Sequence, residues 1–522
     1  MGTRRSISAG ASISRRRLLQ AGTVISSAIG AEQGAAAAVA ETGPEVYTRL
    51  GIKPFINCTA TLTINGGSLM LPEVISAMEQ AAHFHVNLGE LMEKAGDHLA
   101  ELLQVGWGLI TSGTAAALTH ATAGCLAGTD PEKIQRLPNL DGLKNEVIIP
   151  RESRNGYDHA IRTLGVRVIE VNSIEELRAA INPRTAMVEL LGNHFGQAAL
   201  DLKDIAPIVR AAGIPILVDA AADYLIVPNP YIAQGADLVA YSGGKIIRGP
   251  QGAGLLVGRR DLVRAAWANS AQHHAFGRAM KVTKEEIVGM LRAVEAWRTD
   301  HDLQADFEKW KSWHAYIAKS ITRVAGVQAE AQGPIRGGPF PTLKISWEPE
   351  QIALTAGEVG RLLLNGEPRI MSQAAGETNS FLLRPVAMKD GEYEIVARRL
   401  YEIFAAAPKR GRENIPQQPS RNLTGAWEVD IDYEVGSARH QFVLAVKGNS
   451  LTGEHKGWAY RGDIRGEIDG DRVRFRSTLP AEGNVLTYSF EGAVSTNGVS
   501  GRVQIGDYGS GKWRARRLKS AG

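Results

Sequence analysis

The sequence has few cysteines, a small net charge and almost no long apolar runs. Cys58 and Cys125 are too few for a disulfide framework in 522 residues, and we expect two buried thiols. The formal net charge is +4, without a long basic stripe of interleaved aromatics, so nucleic acid is not an expected partner. Beyond an N-terminal segment, no apolar run reaches transmembrane length. We therefore expect two or three globular domains without stable membrane insertion.

Residues 1–40 have the pattern of an export signal. Three arginines, Arg15 to Arg17, precede a moderately apolar stretch at 21–29, and small residues follow up to Ala38-Val39-Ala40. This pattern is typical of a twin-arginine signal peptide with an Ala-x-Ala cleavage site. A disordered basic tail is the alternative. Because the twin-arginine route carries folded proteins, we expect a periplasmic or extracellular protein that folds before export.

A single lysine follows a short apolar strand and two glycines. Residues 238–240 predict a buried strand, which breaks into Ser242-Gly243-Gly244-Lys245. The glycines allow the backbone to approach a bulky ligand closely. A lysine shielded at the carboxyl end of a strand can lose its proton and form a Schiff base. A surface turn is the alternative interpretation.

Two further strands end in residues that suit the same ligand. Asp219 follows the apolar run 214–218, where a carboxylate can hold a pyridine nitrogen protonated. Ser112, Gly113 and Thr114 precede an alanine-rich helical run, and such a helix N-terminus binds phosphate. Taken singly, each segment is also compatible with ordinary helix capping. A phosphate cup, a ring-nitrogen anchor and a Schiff-base lysine in this chain order predict a pyridoxal 5'-phosphate (PLP) site.

The same residues resemble a known family, the fold-type-I PLP-dependent enzymes of the group that contains bacterial selenocysteine synthase and D-glucosaminate-6-phosphate ammonia-lyase. The resemblance covers about residues 45–405 and includes the segments 55–60 and 278–284. It rests mainly on Thr111-Ser112-Gly113-Thr114, Val218-Asp219, Ser242-Gly243-Gly244-Lys245 and Gly249-Pro250-Gln251-Gly252. The resemblance implies PLP as cofactor, Lys245 and Asp219 as catalytic residues, and a homodimer or higher homo-oligomer.

The order of elements predicts an α/β protein with a second, all-β part. Apolar strands alternate with helices between residues 147 and 257, which favours a mostly parallel sheet with a ligand site beyond its carboxyl edge. From residue 421 onward, side chains alternate with period two between turns, as in a small antiparallel barrel or sandwich. The expected boundaries are 1–40 for the signal peptide, 41–300 for the PLP-binding large domain with its N-terminal arm, 301–405 for a small α+β domain, 406–420 for a linker and 421–518 for the C-terminal β domain.

Further cofactor contacts are expected at the ends of strands. The candidates are Ser112, Gly113, Thr114 and Ser242 for the phosphate and Asn193 for the ring hydroxyl. The segment 151–159 lies where the family supplies the group that stacks on the cofactor ring. Tyr157 and His159 both suit that role, and the sequence does not choose between them.

Substrate contacts are expected from basic residues. Arg278 and Lys281, with Lys284, form a basic cluster that suits a phosphate or carboxylate, although a solvated helix end has the same composition. Arg384 is a candidate for the substrate α-carboxylate. His273 and its neighbour lack a cluster of further ligands, so no metal site is expected.

The resemblance implies loss of a β-substituent from a small-molecule amino substrate. We expect an α,β-elimination lyase that acts on a small β-hydroxy amino acid or amino sugar acid. A selenium transferase is disfavoured because the export signal replaces a tRNA-binding module. Aldol cleavage, racemisation, transamination and a non-catalytic scaffold stay open. The C-terminal aromatics are either core residues or a sugar- or lipid-binding lining: Trp427, Trp458, Tyr460 and Trp513.

Overall fold

The computed structural model describes residues 44–192, 199–334, 339–373, 379–409 and 417–518. The predicted signal peptide and Asn193 lie outside these ranges. The α-helices are α1 (Glu45–Thr48), α2 (Pro72–Ala82), α3 (Leu88–Leu103), α4 (Gly113–Ala127), α5 (Pro131–Arg136), α6 (His159–Arg162), α7 (Ile174–Ala180), α8 (Leu202–Ala211), α9 (Pro230–Gln234), α10 (Arg260–Ala268), α11 (Lys284–Thr299), α12 (Leu303–Ile321), α13 (Ala356–Leu364) and α14 (Glu392–Ala405). Within the described ranges, no helix is both long and apolar enough to cross a membrane.

The strands fall into an N-terminal α/β part and a C-terminal all-β part. They are β1 (Ile56–Asn57), β2 (Trp107–Thr111), β3 (Glu146–Pro150), β4 (Arg167–Val171), β5 (Thr185–Leu191), β6 (Ile216–Asp219), β7 (Leu238–Ser242), β8 (Gly254–Gly258), β9 (Val327–Gln332), β10 (Thr342–Trp347), β11 (Ile370–Met371), β12 (Ser380–Leu383), β13 (Gly425–Asp432), β14 (Ser437–Lys447), β15 (Ser450–Lys456), β16 (Arg461–Asp469), β17 (Arg472–Ala481), β18 (Asn484–Ser495), β19 (Gly498–Ile505) and β20 (Ser510–Arg517).

The largest α/β element is a mixed sheet with the order β2-β8-β7-β6-β5-β3-β4. All pairs from β7 to β4 are parallel, whereas β8 pairs antiparallel with both β7 and β2. Strands β6 and β7 are buried almost throughout, as expected for a sheet covered on both faces. The predicted mostly parallel sheet is confirmed.

Register brings the predicted motifs to one edge of this sheet. Gly254, the first residue of β8, pairs with Thr111 at the end of β2 and with Ser242 at the end of β7. In the next pair along, Asp219 at the end of β6 lies opposite Ala240. The segments that follow β2, β6 and β7 therefore start from neighbouring positions at the carboxyl edge, where ligands of such sheets bind.

Helix α4 is buried on nearly all sides, and its small side chains permit that burial. Alanines fill much of its length, so neighbouring elements approach its backbone closely. At Gly124 an added Cβ would lie 2.8 Å from the backbone nitrogen of Ala266 in α10. This packing fixes the direction of the helix, and hence the place of its N-terminus after β2.

The chain divides into two compact units. The first comprises the described residues up to 59, with 312–331 and 343–408; the second comprises 60–311, 332–342 and the described residues from 417. The first unit has a small parallel pair, β1 with β11, and its sheet has the order β12-β10-β9. Trp347 packs against Phe404 in its core, with ring centroids 5.1 Å apart.

The second unit contains the mixed sheet and the C-terminal β domain. Strands β13 to β20 form a closed barrel in which each strand pairs antiparallel with the next and β13 pairs with β20. Closure leaves no free strand edge. Of the two architectures predicted for this region, the barrel is confirmed.

The barrel interior is filled by aromatic side chains. Phe442, Phe475 and Phe490 contact one another at ring-centroid distances of 4.8–5.6 Å. Trp427 and Trp513 are 5% and 3% exposed and belong to this core. Of the two interpretations of these aromatics, that of core residues is therefore right for both tryptophans. Tyr460 is half-buried against the core, whereas Trp458 is 96% exposed.

Both cysteines are free thiols. Cys58 is buried, but Cys125 is only half-buried. Burial nevertheless raises the pKa of both thiols above the ordinary value, in line with the expectation of two buried thiols.

Candidate active site

Asp219 is a buried carboxylate at the carboxyl end of β6. It is 4% exposed, and its Oδ1 accepts a hydrogen bond from the backbone N–H of Ala221 at 3.0 Å. Burial raises the pKa of Asp219 above its ordinary value, whereas the Ala221 hydrogen bond and the charge of Lys245 lower it. A buried carboxylate is stabilised by a nearby positive charge, so Asp219 is suited to bind a protonated nitrogen of a pyridine ring.

Lys245 follows the end of β7 by three residues, on a tight turn. An added Cβ at Gly244 would lie 2.5 Å from the Cα of Gln251, so only glycine fits where the two backbone segments meet. Burial lowers the pKa of Lys245, and the carboxylates of Asp219 and Asp223 act in the opposite direction. A lysine in this setting reaches its neutral, nucleophilic form at lower pH than an exposed lysine.

The N-terminus of α4 has unfilled hydrogen-bonding capacity. The side chain of Ser112, its N-cap residue, makes no capping hydrogen bond. Gly113 has φ +76°, a conformation that favours glycine, and Thr114 Oγ1 is buried without a hydrogen-bond partner among the described residues. Free helix amides together with an unsatisfied hydroxyl are the donors that a phosphate group requires.

A further unsatisfied hydroxyl lies on the segment that packs against the lysine turn. The backbone N–H of Ser68 donates to the carbonyl of Gly244 at 2.9 Å. Ser68 Oγ is buried and, within the described ranges, has no partner. The sequence motifs did not identify Ser68, since a serine in a Gly-Gly-Ser stretch is typical of any loop.

Tyr157 is the aromatic residue that lies beside Lys245. Its ring centroid is 5.8 Å from Lys245 Nζ, and 61% of the residue is exposed. The side chain of Asn155 shapes this turn by accepting from the Tyr157 N–H at 2.7 Å. His159 is an exposed residue at the start of α6. Of the two candidates for the stacked group, the structure brings Tyr157 to the lysine.

Asp223 is a second carboxylate at this site that the sequence analysis missed. It is 5% exposed, accepts a hydrogen bond from the Tyr231 hydroxyl, and acts electrostatically on both Lys245 and Asp219. The only available signal was a second aspartate four residues after Asp219, beyond three alanines. That spacing is also compatible with a helix cap. Asp223 lies near Lys245 and Asp219 because of the turn that follows β6.

The basic residues that were predicted to bind substrate do not all have side chains available for a ligand. Arg278 and Lys281 are exposed. Lys284 is engaged elsewhere, because its Nζ donates to the Ala81 carbonyl at 2.8 Å and pairs with Glu285. Of the predicted basic cluster, Arg278 and Lys281 are therefore exposed, whereas Lys284 is engaged in other contacts.

Arg384 belongs to the first unit. Its backbone N–H donates to the Cys58 carbonyl at 2.9 Å, and its guanidinium donates to Gln373. Partial burial lowers the pKa of Arg384.

These residues fit PLP on structural grounds. The uncapped helix and the hydroxyls of Ser68 and Thr114 offer donors to a phosphate, and Asp219 offers a buried negative charge to a ring nitrogen. Lys245 offers an amine, whose pKa is lowered by burial, for reaction with an aldehyde. Groups of three or more His, Cys, Asp or Glu side chains that might hold a metal ion are not found in the described ranges.

The comparisons with known proteins cover the part of the chain that contains this site. The aminotransferase class-V family matches residues 72–288, which include Ser112, Asp219 and Lys245. D-glucosaminate-6-phosphate ammonia lyase of Salmonella typhimurium (strain 14028s / SGSC 2262) is 29% identical over 372 residues, 69% of this chain and 98% of that protein. The solved structure of D-glucosaminate-6-phosphate ammonia-lyase has 29% identity and a TM-score of 0.61, covering 70% of this chain and all of its own. The chain therefore has the fold of the type-I PLP-dependent enzymes and is an enzyme that uses PLP.

The predicted fold, cofactor and enzyme class are thus confirmed. Two other relatives carry different chemistry on similar sequences. One is 5'-C-glycyluridine monooxygenase-decarboxylase of Streptomyces sp, which is 29% identical over 69% of this chain and 92% of that protein. The other is L-seryl-tRNA(Sec) selenium transferase of Moorella thermoacetica, which is 26% identical over 70% of this chain and 84% of that protein. Relatives of similar identity thus have names that describe different reactions, so the comparisons do not determine the reaction of this chain.

Proposed function

We propose that the protein is a PLP-dependent lyase that performs α,β-elimination on a small β-hydroxy amino acid or amino sugar acid. The observation that carries this proposal is the grouping of Lys245 with two buried carboxylates at the sheet edge that also bears the uncapped N-terminus of α4. The similarity to an ammonia lyase for a phosphorylated amino sugar acid supports the substrate class.

Each residue then has one physical task. When bound, PLP withdraws electrons from Cα of the amino substrate. Asp219 holds the positive charge of the ring nitrogen, and the N-terminus of α4 holds the phosphate. Lys245 Nζ takes the proton from Cα and delivers it to the hydroxyl that leaves from Cβ as water. The unsaturated amine that is released takes up water and yields a keto acid and ammonia.

The remaining assignments belong to the same proposal. Ser242 joins the phosphate site, Asn193 donates to the ring hydroxyl, and Tyr157 covers the ring. Arg384 and the exposed pair Arg278 and Lys281 are proposed to bind substrate carboxylate or phosphate groups, because bidentate or clustered cations suit such anions.

The similarity to a monooxygenase-decarboxylase favours a second candidate reaction. There the α-carboxylate would leave as carbon dioxide, with molecular oxygen as the co-substrate. The two reactions differ in what they consume and release. Elimination produces ammonia and a keto acid without oxygen, whereas the oxidative route consumes oxygen and releases carbon dioxide.

We further propose that the enzyme is exported through the twin-arginine route and functions as a homo-oligomer. The arginine-rich segment at 15–17 supports the first part. Exposed apolar residues concentrate in the stretch 46–88, among them Ile64 at 90% and Phe84 at 69%, and support the second.

The first test is the visible spectrum of the purified protein, before and after borohydride, beside the Lys245→Ala variant. A yellow band that borohydride bleaches, with the cofactor then fixed to the peptide that contains Lys245, supports the proposal. The exposed Lys144→Ala serves as the matched lysine control and should keep the band. A colourless protein that also fails to bind added PLP would overturn it.

The second test separates the reactions. β-Hydroxy amino acids and amino sugar acids are screened for ammonia and keto-acid release with and without oxygen. Release that is independent of oxygen supports elimination. Oxygen uptake matched by carbon dioxide would instead support the oxidative decarboxylation.

A further inference from the structure

A turn of the C-terminal barrel packs directly on the segment that carries Tyr157. The turn between β17 and β18 is formed by Glu482 and Gly483. An added Cβ at Gly483 would lie 2.8 Å from the carbonyl oxygen of Asn155 and 2.8 Å from Oδ2 of Asp158. The barrel backbone and the turn at 155–158 are thus in contact, although more than 320 residues separate them in sequence.

An ion-pair cluster around the buried Arg154 joins the same two segments, and its partner from the barrel, Glu482, is 48% exposed. The side chains of Arg154 and Asp158 are 6% and 1% exposed, and they pair with each other. Arg154 also pairs with Glu170, and its Nη2 lies 3.2 Å from Oε2 of Glu482. Since a guanidinium this deeply buried needs its partners, loss of Glu482 leaves part of its charge uncompensated.

Glu482 has a backbone conformation that is unfavourable for glutamate, which indicates that a contact of its side chain stabilises the turn. Its φ is +47°, and Gly483 has φ +75°. Both values are typical of hairpin turns in which Asn-Gly is the favoured pair, because other side chains are strained there. The ion pair with Arg154 offsets that strain.

The contact reaches the candidate active site in one further step. Tyr157 lies between Asn155 and Asp158, the two residues that Gly483 contacts, and its ring is 5.8 Å from Lys245 Nζ. Tyr157 itself is largely exposed, so its own packing does little to hold it. The stability of its position must come from the segment that carries it.

We propose that Glu482 of the barrel is a positioning residue for Tyr157, acting through Arg154 and Asp158 to hold the tyrosine ring over the PLP site. The inference rests on the proposed role of Tyr157 at that site. It gives the barrel a role in catalysis, as a rigid support that keeps the cover of the cofactor in place, without requiring the barrel to bind a ligand.

The test uses Glu482→Asn in the full chain. Asparagine tolerates positive φ, so this variant removes the charge and keeps the turn. We expect the dissociation constant of PLP to rise about five-fold, in the range found for residues that act through an intermediary. The induced visible circular dichroism of bound PLP should weaken as well, because it reports the surroundings of the ring.

The matched control is Glu491→Gln. Glu491 lies on the same hairpin and pairs with Arg474 at 3.3 Å, but both side chains are more than 60% exposed. Because exposed ion pairs contribute little, this variant should match the parent in PLP affinity and dichroism. An equal loss in both variants would assign the effect to the hairpin in general and overturn the proposal.

A double-mutant cycle with Tyr157→Ala isolates the route. In that background, Glu482→Asn should cause no further change in PLP affinity or dichroism. A full effect of Glu482→Asn without Tyr157, or no effect with it, refutes the positioning role. If the parent protein itself binds no PLP, the proposed function has failed instead, so the two failures are distinguishable.

Discussion

At the scale of single residues, the site depends on burial that changes the chemistry of ordinary groups. Burial lowers the pKa of Lys245 below that of an exposed lysine and raises the pKa of Asp219 above that of an exposed aspartate. The two groups oppose each other's shifts, because each prefers its charged form beside the other. The negative charge of Asp223 also raises the pKa of Lys245. Separately, the hydroxyl of Thr114 is buried and has no hydrogen-bond partner among the described residues.

The first prediction concerns the pH dependence of PLP attachment in Asp223→Asn. The charge of Asp223 raises the pKa of Lys245, so its removal lowers that pKa. Attachment needs the neutral amine, and its pH midpoint should therefore move to lower pH. Borohydride-trapped PLP is measured across a pH series. Asp204→Asn, at an exposed carboxylate in α8, is the control. A midpoint that rises or stays in place contradicts the prediction.

The second prediction concerns Thr114→Val. Its hydroxyl has no partner among the described residues, so the free energy of unfolding of the cofactor-free protein should not fall. The dissociation constant of PLP should rise about ten-fold, since a hydrogen bond to a charged group is lost. Thr122→Val is the matched control, because the Thr122 hydroxyl donates to the Leu118 carbonyl at 2.7 Å within the same helix. This variant should leave the dissociation constant of PLP unchanged. Equal PLP affinity in parent and Thr114→Val would exclude Thr114 from the phosphate site.

At the scale of elements, strand register and one close approach place the N-terminus of α4. Gly254 pairs with both Thr111 and Ser242, so the ends of β2 and β7 flank the start of β8. The helix begins directly after β2, and its alanine-rich body allows burial on all sides. The proposed phosphate site therefore depends mainly on the position of the backbone, and side chains would supply only part of it.

The third prediction tests this close approach with Gly254→Ala. Its Cβ would lie 2.4 Å from the carbonyl carbon of Gly113 and 2.6 Å from the nitrogen of Thr114, so backbone must shift. We expect a loss of about 1–3 kcal/mol in the free energy of unfolding and weaker PLP binding. Denaturant unfolding and PLP titration measure both. Gly333→Ala, where no atom of the described residues lies within 4 Å of the added Cβ, should leave both unchanged. Unaltered PLP affinity in Gly254→Ala would argue against a backbone-defined site.

At the scale of the whole molecule, a catalytic α/β part is combined with a closed barrel in one chain. The centre of the barrel is filled by aromatic side chains, with Phe490 completely buried and Trp513 at 3% exposed. The barrel turn at Glu482 contacts the segment that carries Tyr157. If the enzyme is exported as we propose, a support of this kind would help it to retain a cofactor that is not readily replaced outside the cell.

The fourth prediction concerns export of the whole chain. Replacing Arg15, Arg16 and Arg17 by lysine keeps the positive charge but removes the arginine pair that the pathway recognises. The variant should accumulate in the cytoplasm as a folded, PLP-containing precursor, whereas the parent is recovered outside it in a shorter form. Cell fractionation with immunoblotting measures this. Equal export of both proteins would exclude the twin-arginine route.

The sequence by itself determined the cofactor, the class of fold and the residues that follow β2, β6 and β7. Such motifs are local: a strand, its end and the next turn lie within about ten residues, so their pattern is visible without tertiary contacts. Periodicity likewise predicted a small all-β domain, since alternation within each strand records which side faces the core.

Only the tertiary structure decided the contacts between distant segments. The structure shows a closed barrel and not a sandwich, because β13 pairs with β20. That pairing depends on the accumulated twist of all the strands between them. The tertiary structure also placed Tyr157 rather than His159 beside Lys245, bound Lys284 to Glu285 and returned Asp223 to the site. The support of Tyr157 by Glu482 is invisible in sequence for the same physical reason, because folding alone brings those two segments into contact.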